Sequence, residues 1–426
     1  MRRLIICWFA LLLVGVEPCV FSPKCLASQL SFPMEKILPP SPVGSGLFGG
    51  EVALQGQQLI VSEKRLGIYG GSADVFHLSP AGANFQATLI APSFTADFGI
   101  GVAISYGNTS TPSRAIVAGR DAAYVFTEGS SGWENQPTGQ LSWGGGLVAI
   151  DGNVAVGHGA PGTGTMVVHE FTETLANQWK PIATLVGGNE GFGGGAVLQN
   201  GTAVIASPTE DAGSTNSGAV YAYQAISDTW QATDRLVPSD PLFRGGFGTD
   251  IDLEGDTLMV SRVLGGPSKD GPQPGVVSVY ERSGTDWIET LRLTSSDSFA
   301  GDGFGSRVAV SRNFAAVLAT GHAEGRVYVF RRQSAGWNEL GWVSTGQPFS
   351  SLYDQFGVSL DLDGSTLVVG ARLDDEAGDQ AGAVYRFTIP EPSSMALSVL
   401  GISLLASRSL RKIGKAKNPR IRIEQF

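Results

Sequence analysis

Cysteine is scarce in this sequence of 426 residues. All three cysteines, Cys7, Cys19 and Cys25, precede Ala27, near which we expect a signal peptidase to cut. The rest of the chain has no cysteine and cannot be held by disulfides. Its fold therefore needs a sizeable apolar core, which a chain of this length can bury.

Histidine is almost as scarce, with only His77, His158, His169 and His322. None of them belongs to an H-E-x-x-H motif or to a pair with metal-ligand spacing. The sequence also lacks the G-x-S-x-G elbow of serine hydrolases and a sialidase-type S-x-D-x-G-x-x-W box. We therefore predict a protein that is not an enzyme, with a hydrolase or lyase kept as the less favoured alternative.

Positive charge is in short supply between the two ends of the chain. Without residues 1–27 and 390–426, the sequence keeps 19 Lys and Arg against 36 Asp and Glu, a net charge of −17. A surface with this charge repels phosphate backbones, so nucleic acid is excluded as a partner.

The N-terminus has two arginines followed by an apolar run from Leu4 to Val16. This run is too short to span a bilayer and is typical of a signal-peptide core. We predict a signal peptide over 1–27 and export of the remaining chain. Neither Cys19 nor Cys25 follows the small residues of a lipoprotein box, so no lipid anchor is expected.

The central region is dominated by a repeat that begins with an aromatic residue and glycine. The openers are Phe48-Gly49, Phe98-Gly99, Trp143-Gly144, Phe192-Gly193, Phe247-Gly248, Phe304-Gly305 and Phe356-Gly357. Each opener precedes an alternating apolar segment, a short turn and three further strand-like segments, such as TLVVGA and GAVYRF in the last repeat. Four strands in each unit of about 50 residues are the signature of a propeller blade.

These observations predict an all-β fold over 28–388, a seven-bladed β-propeller of four-stranded blades. The seventh repeat ends at Phe387 without a fourth strand, while a matching segment precedes the first opener. We therefore expect residues 30–38 to close the ring as the outer strand of the last blade. The recurring tryptophans at the start of the outer strands are expected to pack between blades. Trp342 falls outside the repeat and is the aromatic residue we would test for ligand contact.

The Phe-Gly units resemble FG-GAP repeats, the blades of integrin α-subunits and of many bacterial surface proteins. The resemblance covers about residues 30–388 and implies a ligand-binding or adhesion platform, with calcium in some blades. The family's calcium loop follows the first strand, where this chain has short turns, and Asp250–Glu254 and Asp361–Gly364 there have strand alternation instead. Asp374, Asp375, Glu376 and Asp379 are weak metal candidates, and a solvated loop is the competing interpretation. No cofactor is expected beyond this possible calcium ion.

The C-terminus combines Pro390, Glu391 and Pro392 with an apolar stretch from Met395 to Ala406 and a basic cluster. This order resembles the PEP-CTERM sorting signal of Gram-negative bacteria, which implies processing by an exosortase near Pro-Glu-Pro. The apolar stretch is short for a stable span, and an ordinary weak membrane anchor is the alternative. We assign a sorting tail to 389–412 and a basic extension to 413–426, so that only this tail meets the membrane.

Together these features predict a binding or adhesion module at the cell surface, the outer membrane or the extracellular matrix of a Gram-negative-type bacterium. Its expected partner is an extracellular polysaccharide or a surface protein, bound by the loops at 207–217, 262–275 and 372–381. The alternative is a structural surface-layer component without a specific ligand.

Overall fold

The computed structural model describes residues 28–64, 70–92, 95–107, 111–141, 146–159, 163–172, 178–188, 191–263, 273–322, 325–346 and 354–391. These residues form 29 strands and no helix. Accordingly, no helix within these ranges could cross a membrane.

The strands form seven antiparallel sheets, each ordered from the innermost to the outermost strand. Blade 1 has β2 (Phe48–Gln55), β3 (Gln58–Lys64), β4 (Gly71–Ser79) and β5 (Gly82–Ile90). Blade 2 has β6 (Gly101–Ser105), β7 (Arg114–Ala118), β8 (Ala123–Gly129), β9 (Gly132–Trp133) and β10 (Gly139–Leu141). Blade 3 has β11 (Val148–Asp151), β12 (Val154–His158), β13 (Thr165–Thr172) and β14 (Gln178–Val186). Blade 4 has β15 (Gly195–Gln199), β16 (Thr202–Ser207), β17 (Ala219–Ile226) and β18 (Thr229–Leu236).

The remaining three blades follow the same order. Blade 5 has β19 (Ile251–Glu254), β20 (Thr257–Arg262), β21 (Val276–Ser283) and β22 (Asp286–Leu293). Blade 6 has β23 (Phe304–Val310), β24 (Phe314–Ala319), β25 (Arg326–Gln333) and β26 (Gly336–Val343). Blade 7 has β27 (Phe356–Asp363), β28 (Thr366–Ala371), β29 (Ala383–Thr388) and β1 (Met34–Ile37). The predicted seven-bladed propeller is confirmed.

Blade 2 departs from the regular plan because its outer strand is split into β9 and β10, which both pair with β8. Pro137 lies between the two pieces. Proline has no N–H to donate to the ladder, so it interrupts a strand at this position.

The Phe-Gly opener fixes each blade against the one before it. All six opening phenylalanines are buried, and each packs edge-on against an aromatic ring of its own third strand, as Phe356 does on Tyr385 at 5.5 Å. The glycine that follows has positive φ, 95° at Gly357. A Cβ there would lie 2.4 Å from Leu318 of the preceding blade. Glycine is therefore required both by the backbone angle and by the close approach of two blades.

The repeated tryptophans pack between blades, as predicted. Trp133 belongs to an apolar cluster shared by blades 1 and 2, and Trp287 to one shared by blades 4 and 5. The apolar core is thus a series of clusters between sheets rather than one central mass.

The N-terminal segment closes the ring. Strand β1 pairs antiparallel with β29, with Lys36 opposite Tyr385. The strand is shorter than the predicted 30–38, because the chain before it pairs with blade 6 instead: Leu30 N donates to Trp342 O at 2.7 Å. One segment therefore ties together the last two blades and the first.

The direction of the strands defines two faces. The loop face carries the loops between second and third strands and the connections between blades, and the hairpin face carries the remaining turns. On the hairpin face, Gly152, Gly201, Gly255 and Gly364 have φ between 56° and 67°, as tight two-residue hairpins require.

We expect a chain that begins at Pro39 to melt at least about 5 °C below one that begins at Ser28, because blade 7 loses its outer strand. Circular dichroism with a temperature ramp measures the difference. A chain that ends at Glu391 is the control, since it keeps every described strand. Equal midpoints for the Pro39 and Ser28 chains would contradict closure by β1.

Candidate functional site

The first strands of the seven blades surround the propeller axis, and each is an edge strand of its own sheet. An edge strand has backbone groups without a strand partner. Here, side chains from the preceding blade supply part of the missing hydrogen bonds. Asp250 and Asp252 accept from the backbone N–H of Val308 and Val310 at 2.7 and 2.6 Å.

Every interface between neighbouring blades has such a contact near the axis. The other contacts, from blade 7 around to blade 6, are Leu54 N to Asp361 at 2.7 Å, Tyr106 N to Gln55 at 2.6 Å, Gly152 N to Ser105 at 2.8 Å, Asn200 N to Asp151 at 2.6 Å, Gly255 N to Gln199 at 2.6 Å, and Ser311 Oγ to Gly364 O at 2.8 Å. The first strands are thereby joined in a ring with an open axis.

The open axis is a channel made of two adjoining cavities of about 340 and 310 Å³. The larger cavity extends to Gln55 and Asp363, at the hairpin face. The smaller one extends to Ile100 and Thr249, toward the loop face. No aromatic side chain is among the described residues that line either cavity. The channel is polar and of the size of a small-molecule site.

Three charged side chains lie where the two cavities meet: Glu51, Asp250 and Arg307. Burial raises the pKa of Glu51 to about 7, although Arg307 acts in the opposite direction. Burial likewise raises the pKa of Asp250 to about 6. Both carboxyl groups therefore change charge between mildly acidic and neutral pH.

Two further carboxyl groups line the larger cavity. Burial raises the pKa of Asp361 to about 6, and burial together with the charge of Asp361 raises the pKa of Asp252 well above its usual range. Each still accepts a backbone N–H of a neighbouring blade. The hydrogen bonds of these carboxyl groups join neighbouring blades. Because their pKa values are raised, ionisation of these groups lowers the free energy of unfolding.

Neither Glu51 nor Arg307 stands out in the sequence through a motif. The available signal was position: each lies three residues after an opening phenylalanine, where Gly101 and Gly195 lie in two other repeats. A charged residue at a position occupied elsewhere by glycine could have been found by aligning the repeats.

The loop face gathers the irregular segments, as their place in the repeat predicted. The loop at 208–218 pairs with the connection that follows blade 4, where Arg244 N donates to Thr215 O at 2.7 Å. The loop at 372–382 pairs in the same way with the connection before blade 1, where Ser45 N donates to Asp379 O at 2.8 Å. Of the predicted loop 262–275, residues 264–272 lie outside the described residues.

This face also exposes apolar side chains. Six of them lie in the connections between blades or at the ends of the fourth strands that lead into them: Val43, Ile90, Val186, Val237, Phe243 and Phe299. Phe243 is 43% and Phe299 is 44% exposed. The guanidinium of Arg244 lies 5.3 Å from the centre of the Phe243 ring, and Phe299 packs edge-on against His322. Exposed aromatic rings of this kind are typical of binding surfaces.

The four weak metal candidates do not form one cluster. Asp374 is 2% exposed. It accepts a hydrogen bond from the Tyr385 hydroxyl at 2.9 Å and forms an ion pair with Lys36 at 2.8 Å. Asp375 accepts from Gln380 N, while Glu376 pairs with Lys36 on the surface. Within the described ranges, no group of three or more His, Cys, Asp or Glu side chains could hold a metal ion.

The environment of Asp374 is repeated in blade 4. There, the Tyr221 hydroxyl donates to Glu210 at 2.9 Å, and Arg235 pairs with the same carboxylate. Arg235 lies opposite Tyr221 in the sheet, as Lys36 lies opposite Tyr385. The matching arrangement indicates that Asp374 fixes the loop of its blade to the closing strand.

Ligand contact by Trp342 stays a prediction, and the structure places this residue in an outer strand. This residue lies in β26 opposite Tyr328, the position that Arg235 has in blade 4. Its ring is partly buried and lies 4.1 Å from the Arg326 guanidinium, and its backbone pairs with Ser28 and Leu30. The extra tryptophan therefore takes part in ring closure.

The sorting residues lie at the end of the described chain. Ile389 is buried and donates its N–H to Ser365 O at 2.8 Å, so Pro390 and Glu391 follow the propeller directly. Pro392, the rest of the predicted sorting tail and the signal peptide with Ala27 lie outside the described residues.

Residues 287–330 and 350–387 match the FG-GAP repeat family. These segments run from β22 to β25 and from the start of blade 7 to β29. Two segments of this seven-bladed β-propeller are therefore similar to FG-GAP repeats. No curated protein sequence matches it.

Solved structures share the fold at low identity. A candidate 6-phosphogluconolactonase from Bacteroides uniformis is 8% identical, with a TM-score of 0.50 over 71% of this chain and 87% of the other. The WD40 domain of Toxoplasma gondii coronin is 9% identical, with a TM-score of 0.48 over 87% and 89% of the two chains. Similarity at this level shows the propeller fold alone.

We expect Asp361→Asn to raise the melting temperature at pH 8 by about 2 °C. Because the folded pKa of Asp361 is raised to about 6, its ionisation costs stability as pH rises from about 4 to about 6. Asparagine keeps an oxygen for the Leu54 amide without the charge, and it loses only the acceptor for the adjacent Leu362 amide. The gain should disappear near pH 4, where the parent carboxyl is protonated.

Melting curves of both proteins at the two pH values test this expectation. The control is Asp121→Asn, which removes one negative charge from an exposed position. An Asp361→Asn protein that melts below the parent at pH 8 would contradict the electrostatic cost.

Proposed function

We propose that the chain is a non-enzymatic binding module displayed outside the cell, and that its loop face engages an extracellular polysaccharide or a surface protein. The observation that carries the proposal is the concentration of irregular segments and exposed apolar side chains on the loop face. The hairpin face has tight turns at the ends of the first strands of blades 1, 3, 4, 5 and 7, and its exposed large side chains include Tyr106 and Ile226. Loops held on a rigid scaffold are the usual place for recognition.

The anchoring of these loops supports a preformed binding surface. Backbone hydrogen bonds hold the loop at 208–218 against the connection that carries Phe243 and Arg244. A surface that is ordered before binding loses less conformational entropy when it meets a partner. Aromatic rings and arginine are the residue types that contribute most at such surfaces.

The proposal includes the route to the cell surface. Export would use the predicted signal peptide at 1–27, and retention would use the sorting tail at 389–412, processed by an exosortase. With 36 acidic residues in the central region against 19 basic ones, an acidic coat element without a specific ligand is the competing proposal.

A glycan and matrix-protein array with the purified protein tests the binding proposal. We expect saturable binding that falls at least about tenfold in the double variant Phe243→Ser and Phe299→Ser, the loss expected for central aromatic contacts. Ile288→Ser is the matched control, because Ile288 is 53% exposed on outer strand β22. Saturable binding that survives the double variant would contradict the loop face as the site, and an array without any saturable ligand would favour the coat element.

A further inference from the structure

The charged residues of the channel lie at a fixed level of the repeat, three residues after the opening phenylalanine. Four repeats have a charged or hydroxyl-bearing side chain at this position: Glu51, Asp250, Arg307 and Ser359. Arg307 is the only lysine or arginine among the described residues that line the two cavities. A single cation thus faces the axis of a strongly acidic propeller.

Among the described residues, Arg307 forms no ion pair within 4 Å, although its charge acts on the nearby carboxyl groups of Glu51 and Asp250. Its guanidinium donates to the carbonyl of its own neighbour Ser306 at 3.0 Å. Other arginines of the fold are paired, among them Arg262 with Asp240 at 3.0 Å and Arg326 with Asp297 at 2.7 Å. A partly buried guanidinium without a direct ion pair loses hydration and lacks the charged hydrogen bonds that would offset this loss.

Glu51 is also without a side-chain partner among the described residues, although its backbone N–H donates to Ser62 at 2.8 Å. In contrast, Asp250 is held by the amide of Val308. Glu51 and Arg307 line the same two cavities without forming an ion pair with each other. The space between them is therefore bordered by the carboxyl group of Glu51 and by the guanidinium of Arg307, and both can still form hydrogen bonds with a ligand.

The chemistry of this space selects a class of ligand. The planar guanidinium binds carboxylates through two parallel hydrogen bonds. Glu51 and Asp250 can accept hydrogen bonds from hydroxyl groups. The described residues of the lining include no aromatic ring for stacking a flat apolar ligand, and a volume of about 310 Å³ suits a molecule of about one or two sugar residues.

We infer that the channel between Arg307 and Glu51 binds a polyhydroxylated carboxylate, such as a hexuronate, with its carboxylate on Arg307. The site lies inside the ring and uses none of the exposed loop-face side chains, so it does not rest on the proposed function. The ligand could be a free sugar acid or the terminal residue of an acidic polysaccharide.

Binding should strengthen in mild acid. The charged groups that act on Glu51 are Arg307, Asp250, Arg372 and Lys64, and the net effect is a pKa of about 7. At about pH 5, Glu51 and Asp250 are largely protonated and compete less with an anion for the charge of Arg307. At about pH 8, both carboxylates are largely ionised and repel the ligand.

Isothermal titration calorimetry of the full chain with glucuronate tests the site, at about pH 5 and about pH 8. We expect binding at least about tenfold tighter at the lower pH. Arg307→Gln should weaken it at least about tenfold, the cost of a lost charged hydrogen bond, and Arg307→Lys should give an intermediate value. Glu51→Gln should bind at pH 8 more tightly than the parent does at pH 8, but less tightly than the parent does at pH 5, because Asp250 is still ionised in the variant at pH 8.

Arg312→Gln is the matched control, since Arg312 is exposed in the hairpin turn of the same blade. Glucose should not bind, because it has no carboxylate. The inference is overturned by undetectable glucuronate binding at pH 5, by unchanged affinity in Arg307→Gln, or by inorganic phosphate binding as tightly as glucuronate. Oligoglucuronates separate the two sources: tighter binding than glucuronate supports a polymer end, and equal binding supports a free sugar acid.

The melting curve of Arg307→Gln shows whether this variant folds. If it does not fold, two other measurements test the site: the affinity of Arg307→Lys compared with the parent, and the pH dependence of binding by Glu51→Gln. A loop-face double variant that loses array binding but still binds glucuronate would separate this site from the proposed adhesive surface.

Discussion

The innermost strand of each blade has one edge that faces the propeller axis and no strand with which to pair. Seven such edges around one axis would leave many backbone donors and acceptors to water. In this protein, side chains near the end of one first strand bond to the backbone of the next, as Asp252 does with Val310. The arrangement of the channel follows from this requirement, because the polar groups that satisfy the edges are also the groups that line the axis.

The same requirement explains why the ring must close. Blade 7 bonds to blade 1 through Asp361 and the Leu54 amide, and this contact needs the two blades to lie side by side. Strand β1 supplies the missing outer strand, and Lys36 on it neutralises the buried Asp374. The loop that carries Asp374 thereby fixes the closing strand, and the loop face acquires its order from contacts of this kind.

Much of the fold could be predicted from the sequence because it depends on local signals that recur. The opener needs a large ring and a residue with positive φ, and the hairpins need glycine or asparagine, so these positions repeat visibly. Closure by the N-terminal segment followed from counting strands. The split outer strand of blade 2 was also within reach, since Pro137 marks it.

The candidate site was harder to predict from the sequence, because it is formed by contacts between residues of different blades. Whether Asp374 meets a lysine depends on which strand closes the ring, and nothing near Asp374 in the sequence indicates Lys36. The role of Trp342 depends on the path of residues 28–30. Arg307 and Glu51 become neighbours only when blades 6 and 1 stand around the same axis, so their separation in sequence conceals the site.

The most direct test of the account is amide hydrogen exchange in first strand β23, whose edge faces the axis. If side chains of the preceding blade satisfy these edges, the amide of Val310 should be strongly protected in the parent protein and should exchange faster in Asp252→Ala. The amide of Val317 in β24, which bonds within the sheet, should stay protected in both. Rapid exchange of Val310 in the parent protein, or equal protection in the two proteins, would contradict the account.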